Sequence, residues 1–197
     1  MKISDISELH YLTHIENLDS IVEKGILSHV LAKDVPHQKI DMPEVQKKRE
    51  GKTIPGGRQL HEYANLYFSA RNPMLYKRKD MHKELCVLRI SVEVLGIPGA
   101  VIATGNAASN YVAFYPPHKG IDYLDKELVF AEYWTDQDRI NEDRKRVAKC
   151  AEVLVPDRVP TKMILGVYVS CNEAKEKVKS LVPHLCVDFN HKLFFVK

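Results

Sequence analysis

Long hydrophobic runs are missing from this 197-residue chain. Its apolar stretches break within about eight residues, far short of the ~20 that span a bilayer, so no membrane partner is expected. Met1–Asp5 lacks the basic-then-apolar pattern of a signal peptide, and a cytoplasmic location is expected. Cysteine is scarce: Cys86, Cys150, Cys171 and Cys186 form no C-x-x-C pair. Reduced thiols fit that spacing better than disulfides or zinc ligands. Neither sign of charge dominates, with 29 Lys and Arg against 26 Asp and Glu. The chain is no polycation, and a nucleic-acid role requires its positive charge to be gathered on one face. There is no P-loop, G-x-G-x-x-G, H-E-x-x-H or G-x-S-x-G. Nine histidines are present, but no pair has a ligand spacing backed by an acid or a cysteine, and no metal is expected.

What is present is an ordinary globular composition, 45% hydrophobic and 28% charged, in a length that one domain, residues 1–197, accommodates. One stretch stands out: Arg144-Lys145-Arg146-Val147-Ala148-Lys149-Cys150-Ala151-Glu152-Val153-Leu154-Val155-Pro156. In an extended segment Glu152 shares a face with Leu154 and opposes Ala151, Val153 and Val155. An acid at the mouth of a buried strand beside Arg and Lys is either catalytic or structurally paired, for instance with Arg146.

Upstream, Thr13-His14-Ile15-Glu16 reads as a capping box with Thr13 as N-cap, opening a helix that Gly25 ends. Residues 28–59 form a long basic and polar connection, with a helical turn around Val45–Arg49. Connections of this length are functional or disordered, and function is favoured here because a dense motif follows. Leu60–Tyr76 interleaves tyrosines with Arg, His and Met, with a strand at Leu66–Ser69 and a turn at Arg71-Asn72-Pro73 into a short helix. Aromatics beside a cation suit stacking on a flat ring. Further strands are expected at Leu85–Val92, Ala100–Ala103 and Met163–Val169, and helices at Tyr123–Trp134 and Asn172–Val182. A hairpin pair is expected at Leu185–Phe189 and Leu193–Val196. The class is α+β.

Four blocks then carry a resemblance. Tyr11-Leu12-Thr13-His14-Ile15-Glu16-Asn17-Leu18, the run from Leu60-His61-Glu62-Tyr63 to Tyr67–Tyr76, Gly105-Asn106-Ala107-Ala108-Ser109, and Ala151-Glu152-Val153-Leu154-Val155 occur in the order of the DarT family. These are the toxins of DarT–DarG toxin–antitoxin systems, which ADP-ribosylate DNA bases. The resemblance implies an ADP-ribosyltransferase-like fold, two small packed β-sheets with flanking helices around an NAD cleft. It implies NAD as co-substrate, single-stranded DNA as acceptor, and a DarG-like macrodomain antitoxin as partner. Glu152 matches the catalytic glutamate, and Arg49 the arginine of the NAD-binding element. Thr13 matches a threonine at the NAD site, with backbone at Tyr11 and Leu12 beside it, and Tyr67 and Met74 match positions near the nicotinamide end. Asn106 and Arg146 fall where the family's loop meets DNA, and Arg144 and Lys149 are expected on strand phosphates. Tyr11 departs from the His-x-Thr-His reading common in the family. The Gly105–Ser109 loop is closer to guanine-directed relatives. Two other functions fit the residues less well: an ADP-ribosyltransferase acting on RNA or protein, and a non-catalytic single-stranded nucleic-acid binding module.

Overall fold

The computed structural model describes residues 1–196. Its strands are β1 (Leu9–His14), β2 (Ile26–Leu27), β3 (Tyr63–Tyr67), β4 (Leu85–Ile90), β5 (Val101–Ala103), β6 (Phe114–Tyr115), β7 (Glu152–Pro156), β8 (Arg158–Val159), β9 (Ile164–Val169) and β10 (Val187–Phe189). The helices are α1 (Leu18–Lys24), α2 (His29–Ala32), α3 (Pro43–Arg49), α4 (Pro73–Tyr76), α5 (Pro117–Gly120), α6 (Lys126–Val129), α7 (Arg139–Ala148) and α8 (Asn172–Leu181), with short 3₁₀ turns between them.

Eight strands form one sheet in the order β10-β9-β4-β1-β3-β7-β5-β6, and β2 pairs with β8 separately. Pairing is antiparallel except between β10 and β9. The large sheet is nearly two. β1 runs in full register with β4, from Leu9–Ile90 to His14–Leu85, yet meets β3 only at His10–Tyr67. Beyond that pair β1 and β3 diverge, so two four-strand halves are joined in the ladder at one register pair. The two small sheets expected from the resemblance are these halves, continuous at a single register position.

Alternation along the strands sorts the core. Ala151, just before β7, and Val153 and Val155 within it enter the main cluster with Leu9, Leu66, Leu88 and Ile102. Leu154 faces the other way, against Ala103, Leu60 and Tyr63, and Glu152 points with it, as the period of two requires. In α8, Ala174 and Val178 are the buried positions, one turn apart. Gly25 ends α1 at φ 83° and lies against Val159, whose carbonyl oxygen would sit 2.3 Å from an added Cβ. No other residue fits there.

Several expectations change. Thr13 belongs to β1, and the N-cap role passes to His14, whose Nδ1 accepts from the Glu16 amide at 3.2 Å. The short strand is too well paired with β4 to release its last residues. Tyr123–Trp134 is helical only at α6. The segment through Arg144–Lys149 is the C-terminal half of α7 and its cap, not a loop. Val187–Phe189 pairs in parallel with β9 rather than forming a hairpin, and Leu193–Val196 is a succession of turns whose Phe194 covers a second core cluster. No helix among the described residues is long and apolar enough to cross a membrane.

Candidate active site

The divergence of β1 from β3 opens a cleft with two lobes. The first, about 150 Å³, lies between Tyr11 and Thr13 on β1, Ala64 and Asn65 on β3, and the roof formed by α2 and residues 35–41. The second, about 230 Å³, is bounded by Tyr67, Met74, Asn106 and Cys150. Tyr11, Ile40, Asp41, Gln46, Arg49 and Asn65 line both, so the lobes join at a neck walled by Arg49.

At the neck, Arg49 Nη1 donates to Glu152 Oε2 at 3.2 Å, across 103 residues of sequence. The Glu152 side chain is 1% exposed and that of Arg49 8%. Glu152 Oε1 accepts from the Ala107 amide at 2.9 Å. One carboxylate therefore fixes both α3 and the Gly105–Ser109 loop. Removing either partner of such a pair leaves a buried charge uncompensated, a loss of about 3–5 kcal/mol. Among the described residues Glu152 is the one hydrogen-bond acceptor of the Arg49 side chain. Arg49 lines both lobes, and the guanidinium fork has donors beyond the one given to Glu152, a set suited to a carboxylate or phosphate. Arg146 is not the partner of Glu152: it pairs with Asp143 one turn earlier on α7.

Tyr67 stands opposite Glu152 in the β3–β7 register. Burial, reinforced by the Glu152 charge, raises its phenol far above the usual tyrosine range. Burial and then Glu152 push Cys150 up to about 12, so this thiol is no thiolate nucleophile at neutral pH. Tyr11 is pushed up to about 12 by burial first and then by Asp41. All three stay neutral at neutral pH and can donate or accept hydrogen bonds without adding charge.

The remaining expected residues divide. Thr13 lines the first lobe; Leu12, Met74 and Asn106 line the second. Asn106 also shapes its own loop, its Oδ1 accepting from the Ala108 amide at 2.9 Å. Arg144 and Arg146 lie on α7, which has no buried residue. Gly105 passes so close to α7 that a Cβ would meet Val147 at 2.9 Å, which brings the helix against the loop's base. Lys149 is a correction. It is 1% exposed, and its Nζ donates to Ser69 Oγ at 3.1 Å and to the carbonyls of Val129 and Ala131 at 3.3 and 2.5 Å. Burial, then the Arg71 charge, brings it down to about 8. It ties residues 129–131 to the start of β7 and has no route to a strand phosphate. Arg71 likewise serves structure: it donates to the carbonyls of Glu132 and Lys192 and covers the Phe195 ring.

Other residues shape the cleft through contacts remote in sequence. Asn17 is buried and bonds Thr13 Oγ1 at 3.1 Å, while exchanging bonds of 2.9 and 2.7 Å with the Gln38 backbone. The Arg78 fork holds the carbonyls of Ile40 and Asp41 at 2.8 and 3.0 Å. The roof is thus clamped at both ends. His29 and His61 stack with centroids 4.2 Å apart in the first lobe, both lowered first by burial. Lys52 donates to the Ser109 carbonyl and so holds the loop from outside. Among the described residues no group of three or more His, Cys, Asp or Glu could hold a metal ion.

A family model described as "ssDNA thymidine ADP-ribosyltransferase, DarT" matches residues 10–193. A DNA ADP-ribosyl transferase–DNA ADP-ribosyl glycohydrolase fusion protein from Thermosipho africanus (strain H17ap60334) is 34% identical over 186 residues, 89% of this chain, and the chain spans 45% of that protein's length. A solved structure, Thermosipho africanus DarTG in complex with ADP-ribose, superposes with a TM-score of 0.85 at 31% identity, covering 96% of this chain and 51% of that one. Thermus sp. 2.9 DarT in complex with ADP-ribosylated ssDNA shares the fold, with a TM-score of 0.82, 24% identity and 96% coverage of both chains.

Proposed function

The chain belongs to the DarT family, and from that premise we propose that it transfers ADP-ribose from NAD to a base of single-stranded DNA, releasing nicotinamide, as the toxin of a toxin–antitoxin pair. The observation that carries the chemistry is the buried Arg49–Glu152 pair at the neck of a two-lobed cleft, 3.2 Å apart, with the second carboxylate oxygen fixed by the Ala107 amide.

Loss of nicotinamide leaves a positive, oxocarbenium-like ribosyl centre. A fixed carboxylate at that centre stabilises the developing charge, because its orientation costs nothing at the moment of reaction. Glu152 has this role, and it accepts the proton that the attacking base nitrogen must lose. The free fork of Arg49 holds the diphosphate in bidentate fashion. Neutral Tyr67 and Met74 bound the nicotinamide end without competing for its charge. Backbone at Tyr11 and Leu12, with the Thr13 side chain, receives the rest of NAD. Asn106, on the loop tied to Glu152, meets the acceptor base, and Arg144 and Arg146 on exposed α7 hold strand phosphates. An unpaired strand is favoured because no duplex need be opened to bring a base to a cleft this narrow. A DarG-like macrodomain that removes the modification is the expected antitoxin, supported by the glycohydrolase half of the Thermosipho fusion.

The test is mass analysis of single-stranded oligonucleotides incubated with the protein and NAD, with RNA and total cell protein as parallel acceptors. Adducts on DNA that vanish in Glu152→Ala are expected. Undiminished adducts in that variant would overturn the mechanism, and adducts confined to RNA or protein would overturn the substrate. Oligonucleotides carrying a single thymine or a single guanine separate the family model's thymidine from the guanine that the Gly105–Ser109 loop suggests.

A further inference from the structure

The second lobe does not end at Asn106. Val45 and Asn106 also line a separate open groove of about 430 Å³ between the outer face of α3 and the loop at residues 106–111. The two lips of this groove are chemically distinct. On one stands Lys48, next in sequence to Arg49 but turned by about 100°, as helix geometry dictates, so that it is exposed while Arg49 is buried. On the other stands Tyr111, 100% exposed.

Tyr111 is presented by an ordered turn. Its amide donates to Ser109 Oγ at 3.2 Å. The Ser109 amide donates to the Asn106 carbonyl at 2.8 Å, and the Ser109 carbonyl is held by Lys52. This turn in turn hangs from Glu152 through the Ala107 amide. The backbone that carries the ring is therefore ordered and tied to Glu152, while the ring itself stands in water and its packing contributes nothing to the fold. A cation and a bare aromatic ring lining one open groove are the pair that binds a single strand, with the ring stacking a base and the cation meeting the backbone.

We propose that this groove is a second nucleotide subsite: the residue flanking the modified base stacks on Tyr111 while its phosphate lies at Lys48. The proposal rests on the DNA-directed function above and extends it to residues outside the cleft. A strand whose reacting base enters beside Asn106 must continue through this opening or over α7. The groove supplies both a stacking face and a charge, whereas α7 supplies charge alone through Arg144 and Arg146.

Binding separates this subsite from the chemistry. Fluorescence anisotropy with a labelled single-stranded 12-mer of mixed sequence and the full chain needs no turnover. Tyr111→Ala and Lys48→Ala are each expected to weaken binding about tenfold. Tyr111→Phe should bind as wild type, because stacking requires the ring and not the hydroxyl. Lys48→Ala should also lower the slope of log K against log salt by about 0.7, the share of one phosphate contact on a single strand. Lys177→Ala, on α8 at the far edge of the sheet, removes the same charge and should change neither quantity. Wild-type affinity in Tyr111→Ala, or equal loss in Lys177→Ala and Lys48→Ala, would overturn the subsite. A wild-type protein that binds as described but modifies no oligonucleotide would overturn the transfer reaction while leaving the groove in place.

Discussion

Among the described residues the two buried acids, Glu8 and Glu152, each pair with an arginine, one on each half of the divided sheet, and they are built to opposite ends. Glu8 meets Arg89 Nε at 2.8 Å and His10 at 3.3 Å. Arg89 continues to Asp188 at 2.5 Å and lies over the Tyr168 ring. Burial alone would raise Glu8, but hydrogen bonds from His10, Arg89 and Tyr168 outweigh it and hold the carboxyl at about 2. Two of the three Arg89 nitrogens are thus engaged by carboxylates. Glu152 is more deeply buried, its pair with Arg49 is longer at 3.2 Å, and that arginine has one nitrogen engaged and lines both lobes of the cleft. Burial alone would rank Glu152 as the more structural acid. The cleft beside its partner is what supports the catalytic role proposed for it.

The largest expected effect breaks the comparison directly. Glu152→Gln keeps the shape and an oxygen for one of the two donors but leaves the Arg49 charge uncompensated, so stability should fall by about 3–5 kcal/mol. In the folded protein, transfer to DNA should fall by about a thousandfold or more, the scale of losing a fixed charge at a reacting centre. Glu8→Gln should retain transfer while lowering stability by about 2–3 kcal/mol as a buried charged network loses its anion. Thermal melting and single-turnover rates on both variants check this. Loss of transfer by folded Glu8→Gln would erase the distinction.

Arginine-to-lysine exchange sharpens it. Arg49→Lys keeps the charge but loses the fork, and kcat/KM for NAD should drop about a hundredfold, read from initial rates. Arg89→Lys should register in the melting temperature alone.

Acid sorts the pairs by stability. The folded Glu8 carboxyl is depressed from 4.5 to about 2, so the folded state binds fewer protons than the unfolded one between those values. Its contribution is present above pH 4.5 and is lost as pH falls towards 2. Denaturant titrations between pH 6 and 2.5 should show this loss in the wild type and a flatter profile in Glu8→Gln.

How far such roles were visible in the chain depends on the distance over which they are fixed. The face of Glu152 followed from strand alternation, and Asn72-Pro73 announced α4 because Asn72 caps it through its own side chain, accepting from the Leu75 amide at 3.0 Å. Arg49 had no such local signature. Its partner lies 103 residues away, and only the family resemblance singled it out. Asn17, Arg78 and Lys52 were missed for the same reason: each acts on a backbone group far along the chain. The sheet's near-division at His10–Tyr67 was equally invisible, since it reflects how β1 is shared between β4 and β3. His10 Nδ1 is buried without a partner beside that point.

The run from Arg144 to Lys149 shows the opposite failure, in which a contiguous basic stretch suggests a single job. As an extended loop its cations would all reach solvent. As a helix it turns about 100° per residue, and the chain then bends into β7. Arg146 is left outside at 52% side-chain exposure, while the capping Lys149 is carried into the core, where carbonyls replace water. Lys149→Met should therefore cost about 2 kcal/mol through the unmade bonds to Ser69, Val129 and Ala131, with oligonucleotide affinity unchanged. Arg146→Ala should leave the melting temperature within error, because its ion pair with Asp143 is a screened surface contact. It should weaken oligonucleotide binding severalfold at low salt and lower the salt slope by about 0.7, one phosphate contact on a single strand. If Lys149→Met moved the salt slope as Arg146→Ala does, the burial of that lysine could not be its role in solution, and the basic run would regain the single function its sequence suggests.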